Sequence, residues 1–200
     1  MNPIADGQSG RLAVKTIMRF TSSADFRTWL AKNHGQEDGV WLRIYKKDSG
    51  IATVTYAEAL DQGLCFGWID GQKKPYDKQS WLQRFTPRRL RSGWSKNNTQ
   101  HAERLIKSGE MAPAGLREVK TAKADGRWKA AYDSFGKATV PDDFLSALAK
   151  NKKAQAFFKT LNRTNLYSIA YRLQTAKRPE TREKRARAII GMLARGEKFH

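Results

Sequence analysis

The hydrophobic period of this chain changes once and does not change back. In Val40–Lys47 (VWLRIYKK), Val40, Leu42 and Ile44 alternate with Trp41, Arg43 and Tyr45, the two-residue repeat of a strand. Ser80–Thr86 (SWLQRFT) reads as a later strand, closed by Pro87, which has no N–H to give a ladder. Ala13–Phe20 (AVKTIMRF) alternates loosely enough for a first one. Two helices between these strands are announced by their caps. Ser22 with Asp25 opens one that carries Phe26, Trp29 and Leu30 and closes near Asn33–Gly35. Thr55 with Glu58 opens Tyr56–Phe66, with Ala59, Leu60 and Leu64 inward and Gly67 at its end. Trp68–Gly71 leaves this helix as a tight excursion. From Ser95 onward the spacing is helical throughout. Strands first and helices after predict an α+β protein, a small β-α-β-α-β N-terminal layer followed by a C-terminal helical region.

The helical half is punctuated clearly. Ser95 or Asn97 caps a helix through His101, Leu105 and Ile106 that stops at Gly109, and Pro113 suits the first turn of the next. Trp128 and Tyr132 continue the packing of that second helix across Asp125–Gly126. Phe135–Thr139 reads as a linker, after which Thr139 and Asp142 bracket Pro141 as a helix start. Helical stretches follow near Ala154–Leu161, Leu166–Ala176 and Pro179–Arg195. In the last, Ala186, Ile189, Ile190 and Leu193 form one stripe, with Arg182, Lys184, Arg185 and Arg187 off it. The expected division is a flexible tail over 1–12, an α+β domain over 13–138 and a helical region over 139–200.

Charge is distributed as unevenly as period. Of a formal net charge of +19, residues 1–63 contribute eight Lys/Arg against seven Asp/Glu, so nearly all the excess lies beyond Gly63. That balance favours an anionic partner: nucleic acid, a phosphorylated metabolite or an acidic lipid surface. The lone Cys65 excludes an internal disulfide and suits a reducing compartment. No apolar run reaches the roughly 18 residues of a membrane span, and MNPIADGQSGRLAV lacks a basic stretch followed by an apolar one. A cytoplasmic protein is expected.

Familiar chemistry is missing from the motif inventory. There is no phosphate-binding GxxxxGK[ST], no GxGxxG and no GxSxG. His34, His101 and His200 are far apart, and none has metal-ligand spacing, so neither a metal nor a cofactor is expected. What stands out is Leu64–Asn98, which holds Trp68, Trp81 and Trp94 among many charged groups. Between Gly71 and Lys107, ten Lys/Arg face only Asp77 and Glu103. Arg84 lies on an expected strand and Arg88 just past its end, where open sheets hold ligands. Guanidinium groups there suit carboxylate or phosphate, and Ser92 and Asn98 add neutral donors at a helix start. The candidate ligand-binding set is Trp68, Asp70, Asp77, Arg84, Arg88, Ser92, Trp94 and Asn98. Arg182, Lys184, Arg185 and Arg187 form a second, basic surface for phosphate or lipid head groups. Three functions stay open: a small anionic ligand in the aromatic and Arg-rich stretch, nucleic acid on the C-terminal helices, or acid–base catalysis by Asp70 or Asp77.

At CFGWIDG, RFTPRR, SGWSKNN and AKRPETREKR the chain resembles the YdeI/OmpD-associated family, also labelled bacteriocin-protection proteins. The resemblance runs from about Phe20 through GEMAPAGL and AKADGRW, and its C-terminal part resembles the helical OmdA region. It implies a role in tolerance of envelope stress or antimicrobial peptides and an association with porin biology. It carries over no catalytic residues. With no export signal in view, an indirect role through regulation or metabolism fits that implication better than direct contact with a porin.

Overall fold

The structure, a computed structural model, describes residues 17–36 and 38–200. The expected tail at 1–12 and the 13–16 portion of the first expected strand lie outside the described residues. By compactness the chain forms two units, one reaching to Arg89 and taking in Met111–Gly115, the other made of Leu90–Glu110 and Leu116–His200.

The first unit begins with β1 (Ile17–Met18) and α1 (Ser23–Asn33). Ser22 caps α1 reciprocally: its hydroxyl accepts from the Asp25 N–H, and the Asp25 carboxylate accepts from the Ser22 N–H. After β2 (Val40–Tyr45), Thr55 and Glu58 repeat the device at the start of α2 (Tyr56–Cys65), which Gly67 terminates at φ 75°. The α+β reading of the sequence holds, with one correction to the count of strands. Trp68–Gly71 is not an excursion but the start of β3 (Trp68–Pro75), an antiparallel partner of β4 (Ser80–Pro87). Among the described residues the sheet therefore has four strands in the order β1-β2-β4-β3, with β1 and β2 parallel. β3 eluded pattern reading because it is an edge strand whose residues from Gly71 onward are all exposed and include no large apolar side chain. It is also bulged between Asp70 and Lys73. The bulge is satisfied from the core side: buried Gln83 on β4 donates its amide to the Gly71 carbonyl at 3.0 Å.

One face of the sheet supplies the core. Phe85 packs edge-on to Phe26 of α1 at 5.8 Å, and Gly63 of α2 admits the Phe85 ring. Val40, Leu42, Ile44, Leu60 and Leu64 are buried with them. On the other face of β2, Trp41 and Tyr45 are buried as well. Cationic side chains lie over these rings: Lys74 sits 4.5 Å from the Trp41 ring, Arg84 5.6 Å from it and Arg43 4.5 Å from the Tyr45 ring.

In the second unit, Ser95 caps α3 (Lys96–Lys107), and α4 (Pro113–Ala124), which belongs to this unit from Leu116 on, ends at Gly126, φ 80°. Four further helices follow: α5 (Asp142–Ala149), α6 (Lys152–Phe158), α7 (Arg163–Gln174) and α8 (Pro179–Ala194). They bury Phe144, Leu148, Ala154, Ile169, Leu173, Ile189 and Leu193 together. The apolar stripe of α8 thus faces inward as expected. At the head of α5, Pro141 is itself the cap position and no side chain caps the helix, so Thr139 does not serve there.

Candidate functional site

The eight residues singled out in Leu64–Asn98 divide between the units, five in the first and three in the second. Trp68 is fully buried (0% exposed), and its indole N–H donates to the His34 carbonyl at 2.8 Å. Asp70 accepts from the Tyr56 hydroxyl at 2.8 Å, and burial followed by the Asp70 charge pushes the Tyr56 phenol well above its ordinary value. Asp77 lies in the turn between β3 and β4. It accepts from the Ser80 hydroxyl at 2.7 Å and pairs with Arg43 at 2.5 Å. The Ser80 hydrogen bond, then the Gln79 N–H and the Arg43 charge, hold its carboxyl below the usual carboxylate range. An ion-paired carboxylate of this kind is a poor general acid. Arg84 reaches the Asp38 carbonyl, and Arg88 is buried with its N–H on the Gly67 carbonyl at 3.0 Å.

In the second unit, Trp94 is buried against Trp128 with ring centroids 4.9 Å apart. Asn98 is buried and gives its N–H to the Ser95 hydroxyl. Ser92 lends its carbonyl to Arg127 at 2.9 Å. On α8, Arg182 pairs with Asp143 through both carboxylate oxygens, and Arg187 meets Glu183 at 3.2 Å. Lys184 is exposed, and Arg185 donates to the Arg172 carbonyl at 2.6 Å.

The last contacts of Ser92 lead to a cavity of about 510 Å³ within the second unit. Its floor is made by the way α4 ends. The left-handed Gly126 turns the chain so that the Trp128 N–H returns to the Ala122 carbonyl at 2.9 Å, leaving Asp125 and Arg127 on a tight corner. Arg127 is 8% exposed and held on two sides, by Nε to Asp125 at 2.7 Å and Nη1 to Ser92. Its Nη2 has no hydrogen-bond partner among the described residues. Partial burial acts to raise the Asp125 carboxyl, but the hydrogen bonds and charge of Arg127 and the charge of Lys177 outweigh it and hold the group ionised below the usual range.

The walls come from elsewhere in the unit. A backbone stitch sets Tyr132 beside Trp94 and Lys96: the Tyr132 N–H goes to the Trp94 carbonyl at 3.0 Å and the Lys96 N–H to the Tyr132 carbonyl at 2.8 Å. The Tyr132 ring meets Tyr171 of α7 edge-on at 4.9 Å. Gln174 and Thr175 add polar groups, and Arg91 and Lys177 complete the lining with Arg127. Three cations against one carboxylate, beside two phenol rings, make an environment for an anion carrying a planar group. Arg127, Tyr132, Tyr171 and Lys177 were not among the residues sequence reasoning selected. Tyr132 was read only as packing with Trp128 across Asp125–Gly126, and Arg127 and Lys177 only as parts of AKADGRW and AKRPETREKR. Among the described residues, no three His, Cys, Asp or Glu side chains gather as a metal site would need, and no helix is long and apolar enough to cross a membrane.

Comparison with protein-family models gives two matches. The first, a domain of unknown function (DUF8412), covers residues 18–118, just over half of the chain. The second, described as Bacteriocin-protection, YdeI or OmpD-Associated, covers residues 137–196. The chain belongs to the DUF8412 family and carries a YdeI/OmpD-associated domain. The motifs CFGWIDG, RFTPRR and SGWSKNN fall in the DUF8412 segment and AKRPETREKR in the YdeI/OmpD-associated one. The cavity takes Arg91 from the first segment, Tyr171 and Lys177 from the second, and Asp125, Arg127 and Tyr132 from the stretch between them. Comparison with curated proteins and with solved structures returned no match.

Proposed function

We propose that this protein binds a small anionic ligand with a planar part, and that the Arg91–Arg127–Lys177 cleft is where it does so. The observation that supports this most directly is Arg127. A guanidinium fixed from two sides at a cavity wall has already lost the rotamer freedom that a surface arginine gives up on binding. Tyr132 and Tyr171 offer the ring contacts, and Ser92 and Trp94 brace the site from behind. From the YdeI/OmpD-associated domain we further propose that binding serves tolerance of envelope stress or antimicrobial peptides, through a cytoplasmic, indirect route.

Calorimetric titration with inorganic phosphate, sugar phosphates and aromatic phosphates tests the first part. Aromatic phosphates should bind best, and Arg91→Gln and Lys177→Gln should each weaken binding about tenfold, the worth of one charge-assisted hydrogen bond. Absence of binding heat across the whole panel would refute it. For the second part, cells lacking the protein are challenged with a cationic antimicrobial peptide and complemented with wild type or with Arg91→Gln/Lys177→Gln. Equal rescue by both would separate the cleft from tolerance.

A further inference from the structure

The cleft does not end at Tyr171. A second hollow of about 390 Å³, lined by Tyr167, Arg172 and Arg185 among others, shares Tyr171 and Thr175 with it, so the two run on as one groove along α7. Three aromatic rings line that course, and Phe135 extends the row beyond Tyr167. Tyr132 meets Tyr171 at 4.9 Å, Tyr171 lies 6.0 Å from Tyr167, and Tyr167 meets Phe135 at 5.2 Å. Phe135 and Tyr171 are 47% and 39% exposed, unusual for large rings that have a core available to them. The segment bearing Phe135 is held in place, because Arg163 donates to the Phe135 and Gly136 carbonyls at 3.1 and 2.8 Å. Arg91, Arg127 and Lys177 line the first hollow and Arg172 and Arg185 the second. Of the nearby carboxylates, Asp133 is paired with Lys96, while Asp125 is paired with Arg127 and offsets its charge, so the surplus cations of the groove are Arg91, Lys177, Arg172 and Arg185.

We infer that the groove binds single-stranded nucleic acid, with bases against the aromatic row and the backbone along the flanking cations. This rests on the reading of the cleft as an anion site and names its ligand class. Spaced, partly exposed rings among cations are what unpaired bases need, whereas a duplex keeps its base faces stacked and out of reach. A lipid surface would use the charge but not the rings, and the apolar stripe of α8 is already buried in the core.

Fluorescence anisotropy on the full chain tests this with a labelled oligothymidylate of about twelve nucleotides. Parallel titrations use the same strand annealed to its complement, thymidine monophosphate, heparin and phosphatidylglycerol vesicles. The single strand should bind tightest, with a log–log salt slope steeper than about −1.4, equivalent to two released phosphate counterions. Tyr171→Ala and Phe135→Ala should each weaken it about tenfold, and Tyr171→Phe should restore it. Near-UV circular dichroism checks that the variants are folded, and two separately placed exposed rings guard against one failing for structural reasons. Equal binding of duplex or heparin, preference for vesicles, or indifference to both aromatic variants would overturn the inference in favour of unspecific charge. If the monophosphate binds in an Arg91- and Lys177-dependent way but the oligonucleotide binds no tighter, the inference falls and the small-ligand site stands. If neither binds, both fall.

Discussion

Asn165 shows how much a single side chain holds in this protein. It is 1% exposed and uses its whole amide: Oδ1 accepts from the N–H groups of Phe199 and His200 at 3.1 and 3.2 Å, and Nδ2 donates to Asn162 and to the His200 carbonyl. Asn165→Ala should lower unfolding free energy by about 1–3 kcal/mol, since buried polar groups would lose their partners; urea denaturation measures it. Nothing in the sequence marks Asn165, because the chain end that it holds, Phe199 and His200, lies 34 and 35 positions away. Arg127 was illegible for the same reason, its distant anchor being the carbonyl of Ser92. Tryptophan misleads in the opposite direction. Trp68 and Trp94 made Leu64–Asn98 conspicuous, but a large ring serves a core and a ligand wall equally well. Both rings are buried, and beside Trp94 it is Gly93 that lines the cavity.

Helices proved more legible than strands, and for a physical reason. A capping box is complete within four residues, so Ser22–Asp25 and Thr55–Glu58 announce α1 and α2 with no tertiary information. Thr55→Ala should therefore cost about 1 kcal/mol, read as a shift in the urea midpoint at unchanged slope. Strand pairing has no such local signature. β3 was missed because an edge strand need not alternate, and the parallel pairing of β1 with β2 and the strand order came only from the structure. Gly39 makes the point at one position. Its φ is 64°, and a Cβ there would stand 2.3 Å from the Phe85 carbonyl oxygen and 2.6 Å from Thr86. Gly39→Ala should destabilise by about 2 kcal/mol or more, through strain at a left-handed position as well as the clash. In sequence it is only one more glycine ahead of a strand.

At the scale of the molecule, acid should unfold the protein through its ion pairs. Asp77, Asp133 and Asp143 all sit below the usual carboxylate range, held there first by Ser80, Lys96 and Arg182 respectively. Unfolded aspartates take up protons near pH 4. Stability from these groups is therefore fully present above that pH and is lost as pH falls from about 4 through their lower folded values. Urea midpoints at pH 7, 4 and 3 should fall in that order, and an unchanged midpoint between pH 7 and 3 would contradict the assignment. Charge has a further consequence at β3, through Lys73 and Lys74. Lys73 covers the Trp81 ring at 4.8 Å while Lys74 covers Trp41, on the outermost strand of the sheet. An uncharged, regular edge beside two indoles would invite the strand of another molecule, and here ammonium groups, a bulge and Pro75 all refuse it. Lys73→Val with Lys74→Val should turn a monodisperse solution into one that scatters increasing light with concentration. The same lysines that swell the net charge keep the sheet from continuing into its neighbour.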